Sequence, residues 1–188
     1  MSSEKQLALY TFGLFSAPAD APENDEFHAR GEDVLVEIER AGGFIARSGY
    51  DDDINPASWG VQVFPHFYVE AGDGWAPSTL SLWRDLAAPV AYTYHGRLHA
   101  AALRKGRQWF RQGEWPPYVA WWTDAAHRPD WTEGVRRYEA FVENGPSAAG
   151  FMFNAPFDAN GQATKVAAVD VRTYVERNKH TEPEQDHQ

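Results

Sequence analysis

The spacing of hydrophobic positions changes period along this chain and predicts two successive strand–helix–strand units. The nearly continuous apolar run over residues 7–15 is typical of a central strand, and Gly42-Gly43 ends the helix that follows it. The first unit therefore has a strand over 7–15, a helix from 24 or 25 to about 41 and a strand over 44–50. The second has a strand over 79–83, a helix over 91–110 and a strand over 118–122.

The chain after the second unit contains two further predicted helices. Asp130 followed by Glu133 resembles a capping box and predicts a helix that ends near Gly145-Pro146. Residues 150–154 predict a short strand, and a last helix runs from Asp170 to about Asn178. We therefore expect a single domain over residues 1–178 and a polar, disordered tail over 179–188.

The segment 51–77 is too long for a plain connection between strands. Because it carries many aromatic side chains that need burial, disorder is the poorer interpretation. We predict that it forms an inserted flap, acting as a lid or facing a partner.

Two βαβ units in a small chain predict a ferredoxin-like α+β fold, with one antiparallel sheet and its helices on one face. The other face of such a sheet must also be covered. In a chain this rich in Trp and Phe, we expect a second copy to cover it, which gives a homodimer with a dimeric α+β barrel.

Composition narrows the function. The 188 residues include no cysteine, which excludes disulfides and thiol nucleophiles and favours a cytoplasmic location. The net charge of -10 argues against nucleic-acid binding, and no apolar run reaches the length of a membrane span. The expected partner is a small-molecule substrate, with no nucleic acid and no membrane.

Candidate catalytic residues concentrate on the helix predicted over 91–110. His95 and His99 lie four residues apart on its stripe, so that both rings can reach one ligand. Imidazoles titrate near neutral pH and are natural acid–base groups, although such histidines also occur as hydrogen-bonded packing groups. Tyr94 and Arg104 complete the predicted catalytic set, with Arg104 as an anion stabiliser or else part of a solvated helix face.

Aromatic residues supply the predicted walls of a substrate cavity, with the alternative that most of them are core. Strand alternation sends Trp121 and Trp122 to opposite faces of the sheet, so that one of them at most lines a given cavity. The predicted substrate-binding residues are Trp83, Tyr92, Trp109, Trp122, Phe67 and Trp59.

The blocks TLSLWRDL, YTYHGRLHAAALRKGRQWF and WPPYVAWWTDAAHRPDWTEGVRRYEAFVENGPSAAGFMF, in this order, resemble domain of unknown function 3291. The resemblance runs from about residue 7 to 157. That family looks like a branch of the antibiotic-biosynthesis monooxygenase superfamily of dimeric α+β barrels, which includes cofactor-free oxygenases, haem enzymes, cyclases and small stress proteins.

The resemblance implies a monooxygenase-like enzyme that acts on a hydrophobic or aromatic metabolite, in specialised metabolism, without a cofactor. An alternative is a haem-binding enzyme with His99 as axial ligand and Arg97, Arg104 or Arg107 near the propionates. No metal other than haem iron is expected. A second alternative is a non-catalytic ligand-binding or stress protein, in which the aromatics hold a hydrophobic metabolite.

Overall fold

A computed structural model describes residues 4–51, 53–68, 75–113 and 115–180 of the chain. The strands are β1 (Lys5–Phe12), β2 (Phe44–Arg47), β3 (Ser78–Trp83) and β4 (Tyr118–Asp124). The helices are α1 (Asp25–Arg40), α2 (Ala87–His95), α3 (Arg97–Trp109), α4 (Trp131–Asn144) and α5 (Ala168–Lys179). Parts of the predicted flap and of the predicted tail, residues 52, 69–74 and 181–188, lie outside the described residues.

The four strands form one antiparallel sheet in the order β2-β3-β1-β4. The central strand β1 pairs with both β3 and β4, and Leu9 lies opposite Ser81 on one side and Ala120 on the other. The prediction of an α+β chain with an antiparallel sheet is therefore confirmed. The short strand predicted over 150–154 is wrong, since Phe151 makes an isolated bridge with Ala120.

The first face of the sheet is covered by α1, α2 and α5. Leu7, Leu9 and Trp83 point to this face and are buried in its core. Helix α5 packs on α2, and the Tyr174 hydroxyl donates a hydrogen bond to Asp85 Oδ2 at 2.7 Å. Of the two crossover helices that the sequence pattern predicted, the first is α1 on this face, and only the start of the second, within α2, lies on it.

The second face of the sheet is covered by α4 and by residues of the segment 51–77. Tyr10 and Trp121 on this face form one buried core with Trp131 and Tyr138 of α4 and with Trp59 of that segment. The prediction that the helices share one face is wrong for α4, whose aromatic residues bury the opposite one. Because the chain itself covers this face, the bare surface from which we predicted a second copy is not present.

The helix predicted over 91–110 is two helices, α2 and α3, which meet at Gly96. Gly96 has φ -61° and ψ 140°, an extended conformation that ends one helix and begins the next. Among the helices of the described residues, none has the length and apolar character needed to cross a bilayer.

Candidate functional site

The break between α2 and α3 is stabilised from α1. The Glu37 carboxylate accepts hydrogen bonds from the backbone N–H groups of Leu98 at 2.8 Å and His99 at 2.9 Å. These groups lie in the first turn of α3, where N–H donors have no partner within the helix. A Cβ atom at Gly96 would lie 2.5 Å from the Tyr92 carbonyl oxygen, so that only glycine fits the connection without a shift. The break therefore determines the position of His99 in the first turn of α3.

The His99 ring is held between a hydrogen bond and an aromatic contact. Its Nδ1 lies 3.1 Å from the Thr93 carbonyl oxygen, which requires a proton on Nδ1 and leaves the lone pair of the neutral ring on Nε2. The ring packs against Tyr92, with centroids 4.8 Å apart, and Tyr92 in turn packs against Trp83 at 5.7 Å. Within the described residues Nε2 has no hydrogen-bond partner. It is also not one of the fully buried polar atoms that lack a partner.

Burial lowers the pKa of His99, while the Thr93 carbonyl and the Glu37 charge act in the opposite direction. The net effect favours the neutral ring, because an imidazolium loses more hydration on burial than an imidazole does. A neutral imidazole with its lone pair on Nε2 can accept a proton or bind a metal ion.

A row of hydroxyl groups crosses one end of the same face of the sheet. Thr11 lies between Thr79 and Tyr118 in the register, and the Thr11 and Thr79 hydroxyls are 2.7 Å apart. The Tyr118 hydroxyl accepts a hydrogen bond from the Phe153 N–H at 3.2 Å. Burial raises the pKa of Tyr118, and the neighbouring Tyr94 hydroxyl adds to this rise. Since Tyr94 belongs to the last turn of α2, these hydroxyls lie at the end of the sheet where α2 meets α3.

The predicted catalytic residues do not converge on one point. His95 is exposed at the end of α2, Tyr94 is 49% exposed, and Arg104 is exposed on α3. The spacing of His95 and His99 on one continuous helix was wrong, because Gly96 separates their helices. The structure brings Tyr94 beside Tyr118 and His99 beside Tyr92, and the catalytic roles stay predictions.

The predicted wall residues lie in three separate cores. Trp83, Tyr92 and Trp122 belong to the first face of the sheet, where the Trp122 indole N–H donates to the Phe157 carbonyl at 2.8 Å. Trp59 and Phe67 belong to the core of the second face. Trp109 packs with Phe15 and Phe27 at the end of α3. The six residues therefore do not line one cavity.

Sequence reasoning missed four residues of this region, which are Glu37, Thr11, Thr79 and Tyr118. Gly96 within the apolar stripe was the one signal of the break, since glycine is unfavourable in a helix interior. The acceptor on α1 has no local signal, because Glu37 and Leu98 are 61 residues apart. In the part of the chain that the structure describes, there is no group of three or more His, Cys, Asp or Glu side chains that could hold a metal ion.

A family model matches residues 6–168, which is most of the chain, and its description is Domain of unknown function (DUF3291). No curated protein and no solved structure matches the chain significantly.

Proposed function

The chain belongs to the DUF3291 family, whose description names no activity, and we propose that it is an enzyme that removes a proton from a hydrophobic or aromatic small molecule. The base is Nε2 of His99. The anion formed then reacts with dioxygen, as in monooxygenase-like barrel enzymes, or cyclises or isomerises.

One observation carries this proposal, namely the arrangement of the two ring nitrogens of His99. The hydrogen bond from Nδ1 to the Thr93 carbonyl fixes the tautomer, and the contact with Tyr92 fixes the ring. A catalytic base needs a defined lone pair and a pKa near or below the working pH, and burial supplies the second condition. The exposed His95 makes neither such a hydrogen bond nor such a ring contact within the described residues.

The hydroxyl row lies on the same face of the sheet as Tyr92, the residue on which His99 packs. Tyr94 and Tyr118 at the end of α2 offer donors to an oxyanion, and donors placed in advance stabilise charge more effectively than water does. Tyr92, whose ring packs against His99, favours a ligand with an apolar ring.

Hydrogen–deuterium exchange at an acidic carbon tests the proposal, because it reports proton removal whatever reaction follows. Polycyclic ketones with a weakly acidic CH₂ group between aromatic rings are suitable probes, since their anions are delocalised, and NMR in D₂O follows the exchange while an electrode follows oxygen consumption. We expect catalysed exchange in the wild type and in the matched control His95→Gln. In His99→Gln the rate should fall about 10²-fold or more, the usual contribution of a general base.

Undiminished exchange in a folded His99→Gln variant would remove His99 as the base. Saturable binding of the probes by the wild type, with neither exchange nor oxygen consumption, would instead favour the non-catalytic ligand-binding protein.

Haem binding is a second candidate, which the same ring geometry favours. A haem ligand binds iron through one neutral nitrogen while the other donates a hydrogen bond, and His99 has this arrangement through Thr93. The exposed Arg97, Arg104 and Arg107 of α3 are available for propionates. Bound haem would supply one-electron and dioxygen chemistry. A Soret band that shifts on addition of haemin and is lost in His99→Ala supports this candidate, and no shift at stoichiometric haemin rejects it.

We also propose that the chain forms a homodimer, on the ground of its resemblance to dimeric α+β barrel proteins alone. Since α4 and the segment 51–77 cover the second face of the sheet, the second copy would contact a different surface. Light scattering is expected to give twice the chain mass of 21.2 kDa at micromolar concentration. A mass of 21.2 kDa there would contradict the dimer.

A further inference from the structure

A cleft on the opposite side of the molecule lies between α4 and the tight turn formed by residues 147–150. Its volume is about 360 Å³, within the range of small-molecule sites. The turn is closed by hydrogen bonds between Ser147 and Gly150 in both directions, at 2.9 and 3.1 Å. A Cβ atom at Gly150 would lie 3.1 Å from Val119 Cγ2, so that the turn packs closely on β4 and closes the inner end of the cleft.

The charges of this cleft differ from those of the whole protein. The chain has a net charge of -10, yet Arg136 and Arg137 line the cleft and no acidic side chain does so within the described residues. Arg136 is exposed and has no hydrogen bond or ion pair in the described part of the chain. A guanidinium without a partner beside such a cleft is suited to a carboxylate, which it can bind through two parallel hydrogen bonds.

The second arginine of the cleft, Arg137, lies over the sheet and is already partly bound. The Arg137 guanidinium lies 5.7 Å from the ring centroid of Trp121, and it donates to the Ala149 carbonyl at 3.0 Å and to Glu133 at 3.3 Å. Neither the Arg137 Nε nor the Trp121 Nε1 has a partner in the described structure. Both atoms are fully buried, so that Arg137 acts as a fixed positive charge beside the cleft, while the exposed Arg136 is available to a ligand.

The cleft also has an apolar wall, formed by Ala140 and Phe141 of α4. A ligand that suits both the arginines and this wall has one carboxylate and a small apolar body. We propose that this cleft is a binding site for a small organic monocarboxylate, bound through Arg136 and placed on the face of the sheet opposite His99.

NMR titration with phenylacetate tests the proposal, since Gly150 lines the cleft and the Trp121 indole lies against Arg137, which also lines it. We expect saturable shifts of both signals in the wild-type protein. Phenylacetamide, which has the same ring and no charge, and acetate, which lacks the ring, should each bind about tenfold more weakly. Shifts that are equal for phenylacetate and phenylacetamide would overturn the proposal, as would their absence at tens of millimolar.

Arg136→Gln should weaken phenylacetate binding about tenfold or more, because it removes a charged hydrogen-bond donor to the carboxylate. Arg172→Gln on α5 makes the same change of charge at an exposed position away from the cleft and should leave the affinity unchanged. An affinity that Arg136→Gln leaves unchanged would overturn the assignment, and so would inorganic phosphate binding as tightly as phenylacetate.

The site is independent of the proposed enzyme activity. His99→Gln should bind phenylacetate with wild-type affinity, because α3 packs on α1 and α2 whereas the cleft belongs to α4. Loss of exchange activity in His99→Gln with intact phenylacetate binding would separate the two proposals. Loss of phenylacetate binding in a folded His99→Gln would overturn the assignment of the cleft as the site.

Discussion

The Glu37 carboxylate on α1 accepts a hydrogen bond from the backbone N–H of His99 at 2.9 Å. Its other oxygen accepts from Leu98, so that both oxygens serve the first turn of α3. A negative charge at this position stabilises the helix N-terminus and also the protonated form of the imidazole. One side chain on α1 thus caps α3 and also favours the protonated form of its histidine.

Replacing Glu37 by Gln should affect the stability of the protein and the pKa of His99 together. The amide offers one acceptor atom in place of two, and the loss of one helix-capping bond costs about 1 kcal/mol. The pKa of His99 should fall further below its ordinary value, because the neighbouring negative charge that raises it is gone. Urea unfolding and NMR titration of the imidazole measure the two effects.

Glu32→Gln is the matched control, since Glu32 is exposed on the same helix. It should leave both quantities within experimental error. An unchanged or raised pKa of His99 in Glu37→Gln would contradict the electrostatic part of the argument.

The lowered pKa of His99 also predicts how stability depends on pH. The unfolded chain takes up the proton near the ordinary pKa of 6.5, whereas the folded protein takes it up at a lower pH. The contribution of the neutral ring is therefore complete above about pH 6.5 and is lost as the pH falls toward the folded-state pKa. Each unit by which the pKa is lowered corresponds to about 1.4 kcal/mol.

Urea unfolding of the wild type and of His99→Gln between pH 8 and pH 5 measures this loss. All other residues are the same in the two proteins, so that the difference between the two curves belongs to His99. We expect the wild type to lose more stability than the variant below pH 6.5. Parallel curves would mean that the pKa of His99 is the same in the folded and unfolded states.

The fold was predictable where local pattern and tertiary contact agree. Helix α4 begins after Asp130, whose side chain accepts from the Glu133 N–H as a capping residue does. The second half of the predicted capping box did not form, because the Glu133 carboxylate binds His127 at 2.7 Å and Arg137 at 3.3 Å. Burial alone would raise the pKa of Glu133, but these two partners outweigh it and lower the pKa.

The candidate site was predictable in part. The pattern placed His99 on a helix after β3. It could not show that this helix breaks at Gly96, or that Glu37 of α1 binds the first turn of the part that follows. The apolar stripe of α4 predicted a buried face and not the side of the sheet that it would cover. Both features depend on contacts between distant segments, which periodicity does not encode.

Two glycines within helices test how closely α4 packs on the sheet. A Cβ atom at Gly134 would lie 3.0 Å from Tyr10 Cδ2, whereas one at Gly31 on α1 would meet nothing within 4 Å. Gly31→Ala should therefore stabilise the protein by about 0.5–1 kcal/mol through the helix preference of alanine. Gly134→Ala should destabilise it by about 1–3 kcal/mol, since Tyr10 is buried and has to move.

Thermal and urea unfolding of the two glycine variants measure these opposite changes. If both variants were more stable than the wild type, α4 would have room above Tyr10, and the close packing that covers the second face would be wrong.

The segment 51–77 is joined to α4 through His66 and Glu139. The Glu139 Oε1 accepts from the His66 backbone N–H at 2.6 Å and lies 2.7 Å from its Nδ1. Glu139→Gln should weaken this connection by about 1 kcal/mol, which corresponds to an increase of about fivefold in amide exchange around His66. Hydrogen-exchange mass spectrometry of residues 61–68 measures the change.

Glu143→Gln, at an exposed position of the same helix, is the control and should leave exchange unchanged. Equal protection in Glu139→Gln and wild type would mean that the aromatic contacts of Phe67 with Trp115 and Phe12, at 4.8 and 6.4 Å between ring centroids, hold the segment without the carboxylate.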